Sequence, residues 1–298
     1  MLRFRTQLCC FTMLLVPAIC INVQSDCLGQ DGIDQPKHQV KTLYGKENLV
    51  AWCIVPFDAK KRGPAARAEM VQQLGLGKVA YDWRAEHVPT FEQEILEYKK
   101  REIEFFAFWS WHDALEPLIK KHGIRPQIWV TLSSPQGETE AERVRRASDA
   151  LLPLVKKTKD LGLQIGLYNH GGWGGQPSNL VTVCKQLRKD TQSDHIGIVY
   201  NFHHAHEDMD EFARVLPDMA PFLLCLNING MVSSEEMVAN NQKIIPVGSG
   251  KYEKAMMQAI LKSPYRGPIG ILDHRGEVDA RESLQQNLDG LQRIVEQW

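Results

Sequence analysis

The sequence predicts an α/β fold, a single (β/α)8 TIM barrel. From Leu49 on, short β-rich apolar runs alternate with longer amphipathic segments, the pattern of a parallel sheet covered by helices. Eight such pairs follow one another within residues 49–297, and about 250 residues is typical of this barrel. A doubly wound sheet is the alternative, but no Gly-rich dinucleotide motif follows the first predicted strand.

The eight predicted strands are short runs of apolar, β-branched and aromatic residues that end in polar residues. In chain order they are Leu49–Phe57, Lys78–Trp83, Ile103–Trp109, Pro126–Leu132, Gln164–Asn169, Ile196–Phe202, Leu223–Asn229 and Pro268–Asp273. Prolines mark the starts of the fourth and eighth runs, where a strand tolerates them.

An amphipathic segment follows each strand and predicts a covering helix. These segments are Pro64–Leu74, Thr90–Lys100, Asp113–Lys121, Glu138–Leu161, Pro177–Lys189, Asp208–Met219, Tyr252–Lys262 and Ala280–Gln297. Pro64 suits a first helical turn, and Gly75, Gly123 and Gly162 suit positions just past helix ends.

Residues 1–25 have the features of a signal peptide. Arg3 and Arg5 precede an apolar stretch over 8–23, and small residues fit cleavage after Ser25. The stretch is too short to span a bilayer comfortably, so we expect no stable membrane insertion, with a membrane anchor as the weaker alternative. The protein is therefore expected to be exported, either periplasmic or secreted.

The remaining chain divides into a polar, irregular N-terminal arm over residues 26–47 and a barrel domain over residues 48–298. The composition is 43% hydrophobic and 24% charged with a formal net charge of −1, which excludes a disordered chain. That balance also offers no basic surface for a nucleic acid. The sequence leaves the oligomeric state open.

Histidines concentrate where the chemistry of such a barrel lies, at the carboxyl ends of its strands. Six of the ten follow predicted strands: His112, His170, His203, His204, His206 and His274. Imidazole serves as acid, base or metal ligand near neutral pH. Because adjacent residues of a strand point to opposite faces, only one of His203 and His204 is expected to face the site, and we choose His204.

Amide and indole side chains at the same strand ends predict a site for a small carbohydrate. Amides hydrogen-bond to hydroxyl groups, and an indole offers a flat apolar surface for stacking. The predicted substrate-binding residues are Asn169, Asn201, Asn227, Asn229, Trp109, Trp173 and His274. Trp173 is the best-placed indole, because its loop is Gly-rich and open.

Three segments carry a family resemblance: Gly166–Gly172 (GLYNHGG), Gly197–His204 (GIVYNFHH) and Pro246–Gly250 (PVGSG). They resemble the fifth-strand, sixth-strand and Gly-x-Gly motifs of the xylose-isomerase-like TIM-barrel superfamily of sugar phosphate isomerases and epimerases. The resemblance covers residues 48–298.

The resemblance implies a divalent metal held by Glu, Asp, His and Glu from strands five to eight, with the carboxylates also moving protons. The matching residues in this sequence are Tyr168, Asn201, Asn227 and Asp273. Only one carboxylate remains, and neutral amides and a phenol are poor ligands for a hard ion. Two alternatives stay open: a single Mn, Zn or Mg ion bound by His170, His204 and Asp273, or a metal-free acid–base site of the same residues.

The resulting functional hypothesis is an exported sugar isomerase or epimerase-like enzyme that abstracts a proton beside a carbonyl. His170, His204 and Asp273 are its predicted catalytic residues. The alternatives are a lyase or hydrolase acting on an oxidised glycoside and an inactive carbohydrate-binding barrel. A DNA-repair nuclease is not expected, because it needs several metal ions and a basic face.

Overall fold

The computed structural model describes residues 31–298, with side chains from residue 37 on, so the predicted signal peptide lies outside the described residues. Eight parallel strands close into a barrel in chain order, and this confirms the predicted fold. The strands are β1 (Leu49–Trp52), β2 (Lys78–Asp82), β3 (Glu104–Trp109), β4 (Gln127–Thr131), β5 (Ile165–Tyr168), β6 (Ile196–Asn201), β7 (Leu223–Ile228) and β8 (Ile269–Leu272).

The α-helices lie before, between and after the strands. They are α1 (Asp31–Tyr44), α2 (Pro64–Gln73), α3 (Phe91–Lys100), α4 (Leu115–His122), α5 (Glu140–Asp160), α6 (Gly172–Gly175), α7 (Pro177–Thr191), α8 (Phe212–Met219), α9 (Ser234–Asn240), α10 (Glu253–Lys262) and α11 (Ala280–Val295). No helix in the described part of the chain is long and apolar enough to cross a membrane.

The N-terminal arm is not irregular where the structure describes it, and the prediction was wrong on this point. Residues Asp31–Tyr44 form α1, and Leu43 and Tyr44 in its last turn are buried. The Tyr44 hydroxyl donates a hydrogen bond to the Met257 carbonyl at 2.7 Å. Because few apolar residues precede this last turn, the sequence pattern of the arm is polar although its last turn packs on the barrel.

Among the other differences are an early strand end and an added helix, both on the carboxyl side of the barrel. The first strand stops at Trp52 rather than Phe57, because Cys53 has a positive φ of 59° and turns the chain out of the strand. Helix α9 was not predicted, although Ser233 and Glu236 form a capping box at its start. The long connection after β7 is therefore partly helical.

Inside the barrel, the side chains of β7 pack tightly against the backbone of β8. Asn227 pairs in register with Gly270. A Cβ atom on Gly270 would lie 1.7 Å from the Asn227 Oδ1, so the asparagine side chain occupies the space that any larger residue would need. The glycine thus allows a polar amide inside the barrel.

We predict that Gly270→Ala lowers the free energy of unfolding by about 1–3 kcal/mol, because the added methyl group overpacks the barrel. Gly77→Ala is the matched control, since no atom lies within 4 Å of the Cβ position there. Urea unfolding of both variants measures the difference. Equal losses in the two variants would contradict the close fit at Gly270.

Candidate functional site

Four of the six predicted histidines meet at the carboxyl end of the barrel. The ring centroids of His170 and His204 are 4.3 Å apart, those of His203 and His204 are 3.9 Å apart, and those of His203 and His274 are 5.5 Å apart. We call these four residues the histidine cluster. His112 lies elsewhere, packed at 5.0 Å on the Trp83 ring.

Both His203 and His204 belong to the cluster, so the choice of His204 alone was wrong. Strand β6 ends at Asn201, and Phe202–His204 form a turn of 3-10 helix. The strand rule that separates neighbouring side chains therefore does not apply to these two imidazoles. His203 is buried and His204 is partly exposed.

The four imidazoles of the cluster are disposed to be neutral at pH 7. Burial lowers the pKa of His204 to about 2 and that of His274 to about 4, and it lowers the pKa of His203 well below the ordinary value. Partial desolvation by neighbouring residues, together with the charge of Lys243, also lowers the pKa of His170, although the ring is exposed on one side. The neighbouring imidazoles and Lys243 add to the effect at His203 and His204. Neutral rings can both donate and accept hydrogen bonds.

Two buried carboxyl groups lie at the ends of β2 and β8, on either side of β1. Asp82 is 1% exposed and Asp273 is 0% exposed. One oxygen of Asp82 accepts a hydrogen bond from the Val55 amide at 3.3 Å, but its other oxygen and both oxygens of Asp273 have no partner among the described residues. We call Asp82 and Asp273 the carboxyl pair.

The surroundings of the carboxyl pair favour its protonated form. Burial raises the pKa of Asp82 to about 7, against the opposing charge of Arg84. Burial raises the pKa of Asp273 to about 8, although the Ser283 hydroxyl and the charge and backbone amide of Arg275 oppose this effect, and the negative charge of Asp82 adds to it. Burial and both carboxylates raise the pKa of the Cys53 thiol between them. The carboxyl pair therefore gains and loses protons near neutral pH.

Asp82 is not among the site residues predicted from the sequence. The available signal was an acidic residue at the end of a strand that is buried on both faces. Asp82 continues the interior-facing alternation of β2 after Ala80, and both residues are buried.

The interior asparagines bind one another. The Asn227 Nδ2 donates to the Asn201 Oδ1 at 2.5 Å, the Asn201 Nδ2 donates to the Asn169 Oδ1 at 2.7 Å, and the Asn169 Nδ2 donates to the Asn201 carbonyl at 3.1 Å. All three side chains are buried, and so is Asn229, whose Nδ2 donates to the Gly230 carbonyl at 2.7 Å. For Asn169, Asn201 and Asn227 the predicted role as direct substrate ligands does not fit this geometry, because their amides hydrogen-bond to one another and connect β5, β6 and β7. The Oδ1 of Asn229 has no partner among the described residues.

Trp173 is not the open platform that its Gly-rich loop predicts. It is 7% exposed, its Nε1 donates to the Glu140 carboxylate at 2.6 Å, and the Arg143 guanidinium lies 4.9 Å from its ring. The loop is therefore fastened to the start of α5. Trp109 remains partly exposed, with its ring 6.2 Å from that of Tyr168.

The positions that hold a metal in the related family do not fit a hard divalent ion here. Tyr168 packs 6.0 Å from the Trp52 ring, and burial raises the pKa of its phenol well above the ordinary value. The amide oxygens of Asn201 and Asn227 accept hydrogen bonds from neighbouring side chains. Asp273 alone offers a carboxylate, whereas such ions prefer several oxygen ligands.

The rearranged metal set that the sequence suggested is not assembled either. Among the residues that the structure describes, no group of three or more His, Cys, Asp and Glu side chains is arranged to hold a metal ion. His170 and His204 are in contact, and Asp273 belongs to the carboxyl pair. Tyr168 also lies near these residues. The centre of its ring is 6.0 Å from that of the His204 ring, and the charge of Asp82 raises the pKa of the Tyr168 phenol.

The Gly-x-Gly loop before α10 is occupied by a side chain of the protein itself. The buried Glu253 carboxylate accepts hydrogen bonds from the backbone amides of Met231 at 2.9 Å, Gly248 at 3.0 Å and Gly250 at 2.8 Å. These amides would otherwise suit an anionic ligand. The loop is therefore already satisfied internally.

We predict that His204→Asn reduces the acid sensitivity of the protein. The folded-state pKa of His204 lies below that of an unfolded imidazole, so the unfolded chain binds the extra proton and stability falls as the pH drops below the ordinary 6.5. The variant should lose less melting temperature than the wild type between about pH 7 and pH 4. Scanning calorimetry measures this difference.

His38→Asn is the control for that experiment, because it removes an exposed imidazole from α1. It should follow the wild type at each pH. A His204→Asn variant with the acid sensitivity of the wild type would contradict the description of the histidine cluster as neutral in the folded protein.

Three solved structures have the same fold as this chain. The 3-keto-D-glucoside 4-epimerase YcjR from E. coli matches with a TM-score of 0.58 and 13% identity, over 83% of this chain and 98% of that one. The probable 3-DHS dehydratase AsbF from Bacillus anthracis matches at 0.60 and 11%, over 82% and 98%. The IOLI protein, solved with a zinc atom, matches at 0.61 and 12%, over 84% and 99%.

No curated protein matches the sequence at a significant level. The family model described as xylose isomerase-like TIM barrel matches residues 114–294. This range is more than half of the chain, and it contains strands β4 to β8 with the histidine cluster and Asp273. The family resemblance predicted from the fifth and sixth strands is confirmed: the chain belongs to the xylose isomerase-like TIM barrel family.

Proposed function

We propose that this protein is a sugar isomerase or epimerase-like enzyme that removes and returns a proton beside the carbonyl group of a small carbohydrate. The observation that carries this proposal is the carboxyl pair, which has three buried oxygens without a partner beside a cluster of neutral imidazoles. Unpartnered buried polar atoms are costly, and substrate hydroxyl and carbonyl groups would satisfy them.

The carboxyl pair can exchange protons in both directions. With one carboxyl ionised and the other protonated, the carboxylate takes the proton from the carbon beside the carbonyl, and the neutral carboxyl donates its proton to the carbonyl oxygen. Reversing both transfers at another carbon or face gives the isomer. Acid–base catalysis is most effective when the pKa lies near the working pH, as the values of about 7 and about 8 do.

The histidine cluster is proposed to bind and orient the substrate. His170 is exposed and His204 is partly exposed, so these rings can reach sugar hydroxyls. His170 and His204 stay candidates for proton transfer, as the sequence suggested, but their lowered pKa makes them weaker bases than Asp273. All of these steps use the side chains of the protein. No step is assigned to a metal, because the donor set does not fit one.

The structural relatives support this reaction class, since they include an epimerase of a 3-keto-glucoside and a probable dehydratase. A lyase or hydrolase acting on an oxidised glycoside is the second candidate, because the same proton removal can expel a leaving group. Identification of the products separates the two. We also propose export of the protein, on the basis of the signal-like residues 1–25.

We predict that wild-type protein incubated with keto-sugars in heavy water replaces the hydrogen beside the carbonyl by deuterium. Asp273→Asn and Asp82→Asn should slow this exchange by about 100-fold or more, because each removes one of the two proton carriers. His170→Ala should weaken substrate binding. Proton NMR of the sugar measures exchange and product formation together.

Asp208→Asn is the matched control, since it removes a half-buried carboxyl group beyond β6 that lies outside the carboxyl pair. It should keep the wild-type exchange rate. Binding of sugars without exchange by the wild type would favour the inactive binding barrel. Exchange that survives in both Asp82→Asn and Asp273→Asn would refute the proposed roles.

A further inference from the structure

Arg84 is a positive group at the mouth of the barrel that the proposed proton transfer does not use. It follows β2, and its guanidinium lies 5.5 Å from the centre of the Phe57 ring and 5.6 Å from that of Trp109. Its Nη1 donates to the Trp83 carbonyl at 2.7 Å. Within the described residues it forms no salt bridge to a carboxylate. The Arg84 guanidinium therefore lies against two aromatic rings and has no carboxylate partner among the described residues.

Lys243 is a second positive group on the same side of the barrel. It lies in the connection between α9 and α10, and it is exposed. Its charge acts on His170, His204 and His274, so it lies near the histidine cluster. The salt bridges found between described residues do not include this lysine.

Asp82 and Asp273 form no salt bridge with Arg84 or Lys243 in the described part of the chain. Both are buried, and in the proposed reacting state only one of them is ionised, so the carboxyl pair carries one negative charge against the two positive charges. Arg84 and Lys243 therefore remain two cations without a salt-bridge partner among the described residues at this end of the barrel, and such cations attract ligands of opposite charge.

We propose that the substrate is an acidic sugar, and that its carboxylate binds Arg84, with Lys243 contributing to attraction at longer range. This inference rests on the proposed function for the placement of the reacting carbons, but carboxylate binding can be tested alone. Arg84 lies two residues beyond Asp82. A sugar held by Arg84 therefore lies next to the carboxyl pair.

The geometry favours a carboxylate over a phosphate group. A planar guanidinium pairs with a carboxylate through two parallel hydrogen bonds. A phosphate group commonly uses backbone amides as well, and the amides of the Gly-x-Gly loop already donate to Glu253. Uronates are the simplest members of the acidic class, because they differ from glucose and galactose by a single carboxylate.

Titration calorimetry of the full chain with glucuronate, galacturonate, glucose, galactose and glucose 6-phosphate tests this proposal. We expect the uronates to bind about tenfold more tightly than the neutral sugars, since hydrogen bonds to charged groups contribute at least that factor. Arg84→Gln should abolish the preference. Lys243→Gln should weaken it less, mainly at low ionic strength, because an exposed charge is screened by salt.

Arg275→Gln is the matched control for Arg84→Gln. Arg275 also follows a strand, but its Nη2 donates to the Ser283 hydroxyl at 2.6 Å and to the Gln286 side chain at 2.9 Å. This variant should keep the preference for uronates. Melting curves show whether each variant folds. If Arg84→Gln unfolds, Lys243→Gln still tests the proposal, because Lys243 is exposed and its substitution does not disturb the barrel.

Equal affinity for uronates and neutral sugars would overturn the inference, and so would an equal loss of preference in Arg275→Gln. Tighter binding of glucose 6-phosphate through Arg84 would overturn the choice of carboxylate. The proposed function fails separately: uronates bound through Arg84 without deuterium exchange would refute proton transfer alone. Exchange on neutral keto-sugars without uronate binding would refute the acidic substrate alone.

Discussion

The burial of two carboxyl groups where the barrel closes is the constraint on which the candidate site depends. Strand β1 pairs with both β2 and β8, so Asp82 and Asp273 lie on either side of it, with Cys53 between them. Burying an isolated charge costs far more than burying a neutral carboxyl, so such groups retain their protons. The aromatic and amide residues around the pair provide no compensating metal site.

The asparagine side chains at the ends of β5, β6 and β7 are uncharged. The family resemblance implies an Asp and a His as metal ligands at the positions of Asn201 and Asn227, whereas here the two amides join β6 to β7. Gly270 makes room for Asn227, so a change in one residue would disturb the other. Positive groups are left at the rim, where Arg84 is held between two aromatic rings. The site therefore combines uncharged amides inside the barrel with an arginine at the rim that has no salt-bridge partner among the described residues.

The fold and the convergence of the histidines could be predicted from the sequence, because both follow from strand periodicity and from the rule that parallel strands end at one face. Three features were not predicted. The position of Asp82 at the end of a buried strand offered a signal, but only the structure shows that Asp82 lies near Asp273 across β1. The burial of Trp173 depends on its contact with Glu140 in another helix, which no local pattern contains. His203 belongs to the cluster because β6 is followed by a 3-10 turn. The ends of strands are the part of a secondary structure that a sequence pattern predicts least well.

Infrared difference spectroscopy of protein labelled with 13C-carboxyl aspartate tests the central claim most directly. Spectra of the wild type, Asp82→Asn and Asp273→Asn, recorded across neutral pH, assign each carbonyl band to its residue. The account predicts two protonated carboxyl bands that disappear near the raised pKa values of about 7 and about 8. Ionisation of both groups at the ordinary value of 3.8 would contradict it.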